Sequence, residues 1–108
     1  MSHKAFVTKT GDTTPISVNC RDKFGFVDLT DATVVFNMKT PAGVVKVARG
    51  ACNVLSPTVG YVQYAFELVD VDTVGNYRGE FEVTFDSGKI TTFPSGDYIP
   101  IKILVDLG

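Results

Sequence analysis

The chain has 108 residues, 44% of them hydrophobic, with eight Phe and four Tyr, which suits one domain with one core burying roughly two-thirds of the unfolded chain's surface. A formal net charge of −2 and ten singly scattered Lys and Arg give no basic patch for nucleic acid, and no apolar run approaches the roughly 18 residues of a membrane span. The start, Met1-Ser2-His3-Lys4, leads only into a short apolar pair and does not read as a secretory signal, so the expectation is a chain made in a cytoplasm, with neither nucleic acid nor membrane as partner.

Residues 5–8 (Ala5, Phe6, Val7, Thr8) read as a short first strand, stopped by Gly11-Asp12. After Pro15, Ile16, Val18 and Cys20 alternate with Ser17 and Asn19, the period of two that defines a half-buried strand. Residues 22–26 read as a turn in which Gly25 supplies a positive φ. Residues 32–39 form the next predicted strand, with Val34, Phe36 and Met38 on one face and Val35, Asn37 and Lys39 on the other. Pro41-Ala42-Gly43 closes a hairpin, residues 44–48 return, and residues 51–55 continue that strand after a break at Gly50.

Residues 56–60 mark another reversal, and residues 61–68 alternate again, with Val62, Tyr64 and Phe66 opposite Tyr61, Gln63 and Ala65. The one helical candidate, residues 67–74, is rich in Asp and β-branched residues and predicts a single turn at most. From Tyr77 to Phe85 the odd positions read Tyr, Gly, Phe, Val, Phe and the even ones Arg, Glu, Glu, Thr, which is a strand with one face in a core. The expectation is that Val34, Phe36, Tyr64 and Phe66 face this strand from the opposite sheet. The preceding Asp72 and Gly75, with Tyr77, resemble the tyrosine corner of immunoglobulin-like sandwiches, although Asp72 stands one residue further from the Tyr than in antibody domains. A strand over residues 89–93, a break at 94–97 and a last strand over residues 98–105 complete the chain, with Ile99, Ile101, Ile103 and Val105 on one face and Pro100 and Lys102 on the other. Pro100 removes a ladder donor and predicts an edge or a bulge there. Strands at this spacing with turn signals between them predict one all-β, immunoglobulin-like antiparallel sandwich of about seven to nine strands over residues 1–108.

Little in the chain suggests chemistry. The single His3 lies at the terminus, so no triad can be built around it. Asp70 and Asp72 form a close carboxylate pair whose third oxygen cluster for Ca²⁺ would have to come from Asp86 or Asp97; turn and capping roles are the better reading. Cys20 and Cys52 lack metal-ligand spacing and read as reduced, buried small hydrophobes. An inter-sheet disulfide is the alternative, weakened because Gly79 and not Cys stands two residues past Tyr77. The expectation is a protein with no cofactor, no metal and no enzymatic activity.

Four segments carry a family resemblance: residues 28–39 (Asp-Leu-Thr-Asp-Ala-Thr-Val-Val-Phe-Asn-Met-Lys), residues 75–85, Thr92-Phe93-Pro94, and residues 98–103. In this order, with Gly11-Asp12 before them and Asp106-Leu107 after, they resemble the N-terminal domain of phage baseplate upper proteins. Position 31, commonly a turn Gly there, is Asp31 here. The resemblance implies a non-enzymatic structural protein of a bacteriophage virion, binding tail, baseplate or neck proteins as an adaptor or fibre anchor. The alternatives are a capsid decoration protein and a host-surface or carbohydrate-binding module, for which Tyr61 and Tyr98 are the candidate exposed aromatics. A homo-oligomer within a symmetric particle is implied, with Ala5, Phe6, Val7, Thr8, Pro100 and Lys102 as the candidate interface on two strands expected at sheet edges.

Overall fold

The alternation that opens at Gly75 organises the molecule. In the computed structural model, which describes residues 4–107, the strand β9 (Gly75–Thr84) turns Tyr77, Gly79, Phe81 and Val83 inward and is the centre of the larger of two facing sheets. Around it run β1 (Phe6–Lys9), β11 (Ile99–Leu104), β5 (Thr33–Lys39) and β6 (Val45–Ala51) in the order β1-β11-β9-β5-β6, with β10 (Ile90–Phe93) also on β9. The smaller sheet is β2 (Ile16–Asn19), β8 (Tyr61–Tyr64) and β7 (Asn53–Ser56), in the order β2-β8-β7. A two-stranded ribbon, β3 (Arg21–Asp22) and β4 (Gly25–Phe26), stands apart from both. The fold is an immunoglobulin-like β-sandwich, as the spacing of strands and turns predicts.

The core is aromatic. Phe36 and Phe81 are fully buried with ring centroids 5.0 Å apart, Tyr64 stacks on Phe36 at 4.9 Å, and Phe66 meets Phe36 edge-on at 5.9 Å. Such pairs add about 0.5–1.5 kcal/mol each beyond the burial of their area. Gly79 makes room for them: a Cβ there would lie 2.6 Å from Ile101 Cδ1 and 2.9 Å from Phe36 Cζ. Phe6 of β1 closes one side, 5.8 Å from Phe66.

Several strand expectations are corrected by the pairing. Val34 and Phe36 do not face β9 from the opposite sheet; they lie beside it, Val34 paired with Val83 and Phe36 with Phe81. Only Tyr64 and Phe66 approach from outside that sheet. A period of two tells which face a residue shares, not which sheet the strand joins. The last strand is not an edge, because β11 sits between β1 and β9, and it ends at Leu104 with Val105 exposed. Pro100 is tolerated because it pairs with Arg78 on one side only; the β1 register begins one residue later, at Phe6 with Ile101. That β1–β11 pairing is parallel, so the sandwich is not wholly antiparallel. The strand after Tyr61 ends at Tyr64, and Phe85, expected to be largely buried on the inward face, is half-buried.

Nor does the chain break at Gly50. The strand β6 runs through it, and the crossing to the smaller sheet comes at Cys52, whose N–H donates to Val34 O at 3.1 Å. Arg49, with φ 52°, kinks β6 against β5, where the register shifts. Its N–H donates to Asn37 Oδ1 at 2.8 Å and its guanidinium to Glu82 Oε1 at 2.9 Å. Asp31 adopts φ 61°, the conformation for which its position favours Gly.

The corner forms as expected. A 3-10 turn, Leu68–Val71, leads into β9, and the Tyr77 hydroxyl donates to Thr73 O at 2.9 Å. Asp72 takes no part in that bond. It is exposed and accepts from Lys46 Nζ and Thr73 Oγ1, which together hold its carboxyl below the usual range.

Candidate functional site

The segment read from sequence as a plain turn carries the most exposed aromatic ring among the described residues. Asp22 Oδ1 accepts from Phe24 N–H at 2.8 Å, the local bond that turns the chain, and Gly25 at φ 119° completes the reversal. The result is the β3–β4 ribbon, pairing Arg21 with Phe26 and Asp22 with Gly25. At its tip Phe24 is 86% exposed, and Phe26 is 50% exposed beside it. A cation covers each ring: Arg21 Cζ lies 4.5 Å from the Phe26 centroid and Lys23 Nζ 5.3 Å from that of Phe24. Neither cation has a carboxylate partner among the described residues.

Next to the ribbon the two sheets part. An open crevice of about 370 Å³ is lined by Val18, Cys20, Phe93, Pro94 and Ile99, with Asn19, Arg21 and Ser95 as its polar groups. It arises because the strand opposite β9 is interrupted. Phe93 of β10 pairs with Phe81 and Ile99 of β11 with Gly79, so Glu80 alone spans the gap while residues 94–98 loop outward. The Phe93–Pro94 peptide bond is cis. Gly60 holds the crevice's other wall in place: at φ 64°, a Cβ there would lie 2.7 Å from both Cys20 O and Val27 O. A shallower hollow of about 260 Å³ lies between the outer faces of β5 and β9, beside Lys39, Arg78, Glu80, Asp97 and Tyr98. There Arg78 Cζ sits 4.5 Å above the Tyr98 ring.

The residues singled out from sequence do not gather into one site. Ala5, Phe6, Val7 and Thr8 belong to a true edge, but Thr8 is buried and Phe6 is packed on Phe66, which leaves Ala5 and Val7 outward. Lys102 lies across from Val7, and Pro100 is on the strand inside that edge. Tyr61 is in β8 of the smaller sheet while Tyr98 precedes β11 of the larger, so they do not form one aromatic cluster. Asp70 and Asp72 diverge: Asp70 is buried and accepts from the Tyr64 hydroxyl at 2.6 Å and Glu67 N–H at 2.9 Å, whereas Asp72 turns to Lys46. His3 lies outside the described residues. Among the described residues no three His, Cys, Asp or Glu converge as a metal-binding group.

Both cysteines are free, Cys20 buried and Cys52 half-buried. Burial pushes the Cys20 thiol up to about 11 and the Cys52 thiol to about 12, so neither is a thiolate near neutral pH. Arg21, Lys23, Phe24 and Phe26 were legible as a site only through one signal: apolar rings inside a stretch that otherwise reads as a turn.

No protein-family model and no curated protein matches the chain. Among solved structures, CopC from Methylosinus trichosporium OB3b is similar in fold, with a TM-score of 0.53 and 14% identity over 94% of this chain and 85% of that one. What is shared at that identity is the sandwich. The comparison overturns the expectation of a bacteriophage virion protein acting as a tail, baseplate or neck adaptor, a capsid decoration protein or a host-surface module. The fold neighbour found is CopC, and neither it nor any family model ties the chain to virion proteins. The resemblance rested on strand and turn motifs that many sandwiches share.

Proposed function

We propose that this domain is non-catalytic and works by binding another protein, through the face made by the β3–β4 ribbon and the crevice beside it. The observation that carries the reading is the ribbon tip, where Phe24 is 86% exposed. Leaving the Phe24 ring in water forgoes roughly 1.5–3 kcal/mol that a partner could recover by burying it, and the half-exposed Phe26 about half as much. Aromatic rings together with Arg are what protein interfaces concentrate at their centres. Asp70 and the two thiols, singled out from sequence as groups that could perform chemistry, are otherwise engaged. Asp70 is held by Tyr64 and Glu67, and both thiols stay protonated.

The test is a paired capture. Wild-type protein and a Phe24→Ser/Phe26→Ser variant are each presented to a lysate of the native host, retained proteins are identified, and the leading one is purified for direct titration. The reading expects at least a tenfold loss of affinity in the variant, with an unchanged unfolding midpoint because neither ring belongs to the core. Equal affinity of the two forms, or retention by anionic vesicles in place of any protein, would refute it.

A further inference from the structure

The smaller sheet ends in an edge whose hydrogen-bonding groups are unused. Cys20 N–H donates to Gly60 O at 2.9 Å, and the β2–β8 ladder pairs Val18 with Val62 and Ile16 with Tyr64. Hydrogen-bonded positions alternate in an antiparallel ladder. The main-chain groups of Ile16 and Val18 and the Cys20 N–H therefore point to β8, the Cys20 C=O accepts from Val27 N–H at 2.9 Å, and the main-chain groups of Ser17 and Asn19 point away from β8. Among the described residues no strand lies on that side of β2, because β1 pairs with β11 in the other sheet. Among the described residues Ser17 and Asn19 thus offer two N–H and two C=O groups in strand geometry to a partner.

The crevice lies along the same edge. Its walls include Val18 and Cys20 on the β2 side and Phe93, Pro94 and Ile99 on the other. A strand laid beside β2 sends every second side chain between the sheets, and about 370 Å³ holds one or two branched or aromatic side chains. Arg21 stands at the end of this track and Lys23 just beyond, both without carboxylate partners among the described residues. Charge there favours an acidic residue on the incoming chain.

Resting on the reading of this face as a protein-binding surface, we propose that the partner contributes an extended segment that adds to β2 as a further strand. Its alternate apolar side chains fill the crevice and an Asp or Glu meets Arg21 and Lys23. Main-chain bonds to Ser17 and Asn19 set the register, and the crevice selects the side chains, which is strand addition at a sheet edge.

The experiment uses the full chain and a displayed library of random nine-residue peptides as the probe. Selected peptides are expected to alternate apolar and polar residues and to carry an acidic residue. Ser17→Pro removes an outward N–H and no internal ladder bond, so it should fold like wild type and bind the selected peptide at least tenfold more weakly. N-methylation of alternate amides in the peptide should abolish binding in one register and spare it in the other, a control that leaves the protein untouched. Arg21→Glu should weaken binding and reduce its salt dependence. Failure to enrich any peptide, or binding indifferent to both Ser17→Pro and N-methylation, overturns the proposal. So does a dimer that Ser17→Pro dissolves without peptide, since the occupant would then be a second copy. If strand addition fails while Phe24→Ser/Phe26→Ser still releases a protein partner, the wider reading stands alone; if that variant also retains the partner, both fall.

Discussion

Removing one oxygen should show how the turn before β9 is held. Tyr64 is 6% exposed, and its hydroxyl donates at 2.6 Å to Asp70, itself 5% exposed. The Asp70 carboxylate also accepts from Glu67 N–H at 2.9 Å, while Asp70 N–H returns a bond to Glu67 O at 3.0 Å. Burial first, then the bond to Asp70, holds the Tyr64 phenol above its ordinary range, so the hydroxyl keeps its proton as a donor. Tyr64→Phe leaves the ring on Phe36 and opens no cavity, so its cost is the hydrogen bond alone. A bond to a charged acceptor contributes about 1.5–3 kcal/mol. With a urea dependence of about 1.5 kcal/mol per molar for a domain of this size, the midpoint should fall by about 1–2 M. Asp70→Ala should cost more, because it strands two donors, and a double-mutant cycle with Asp70→Asn should show coupling. A Tyr64→Phe midpoint within about 0.2 M of wild type would refute this account of the turn.

Other perturbations separate core, corner and thiols. Phe81→Ala, at a side chain with no exposure between Phe36 and Phe93, should destabilise by about 3–5 kcal/mol in the same assay; a shift too small to measure would misplace the core. Tyr77→Phe should cost about 1 kcal/mol by losing the bond to Thr73 O, and equal stability would argue against the corner. Because Cys20 binds its proton more tightly folded than unfolded, its contribution is whole below about pH 9 and is lost as pH rises through about 11. Stability should therefore decline across that window, less steeply in Cys20→Ala, and the folded protein should resist thiol reagents at neutral pH; a rise in stability over the window would contradict the assignment.

Which faces are buried was legible in the chain, because a period of two survives any sheet assignment. Val34, Phe36, Met38, Phe81 and Ile101 are inward as their alternation predicts. The corner was legible from Tyr77, since a hydroxyl opening a strand needs an upstream carbonyl. Neighbours were not: that Phe36 lies beside Phe81, or that β11 is covered by β1, depends on long-range pairing that local pattern does not encode. For the same reason the open side of β2 was hidden, since it exists only because the first strand joins the other sheet. Residues 22–26 carried two aromatic rings in a turn with Gly25, and turn chemistry masked them. Strand and turn spacing found the fold, while the family likeness misled on function, because the strand entry over residues 29–36 and the Thr-Phe-Pro break are what many sandwich strands and turns show.

Amide hydrogen exchange at β2 bears most directly on how the domain engages its partner. In the free protein Ser17 and Asn19 should exchange quickly and Val18, bonded to β8, slowly. With the partner bound, the account predicts strong slowing at Ser17 and Asn19 and little change at Val18. Unchanged exchange at Ser17 and Asn19 in the saturated complex would contradict it.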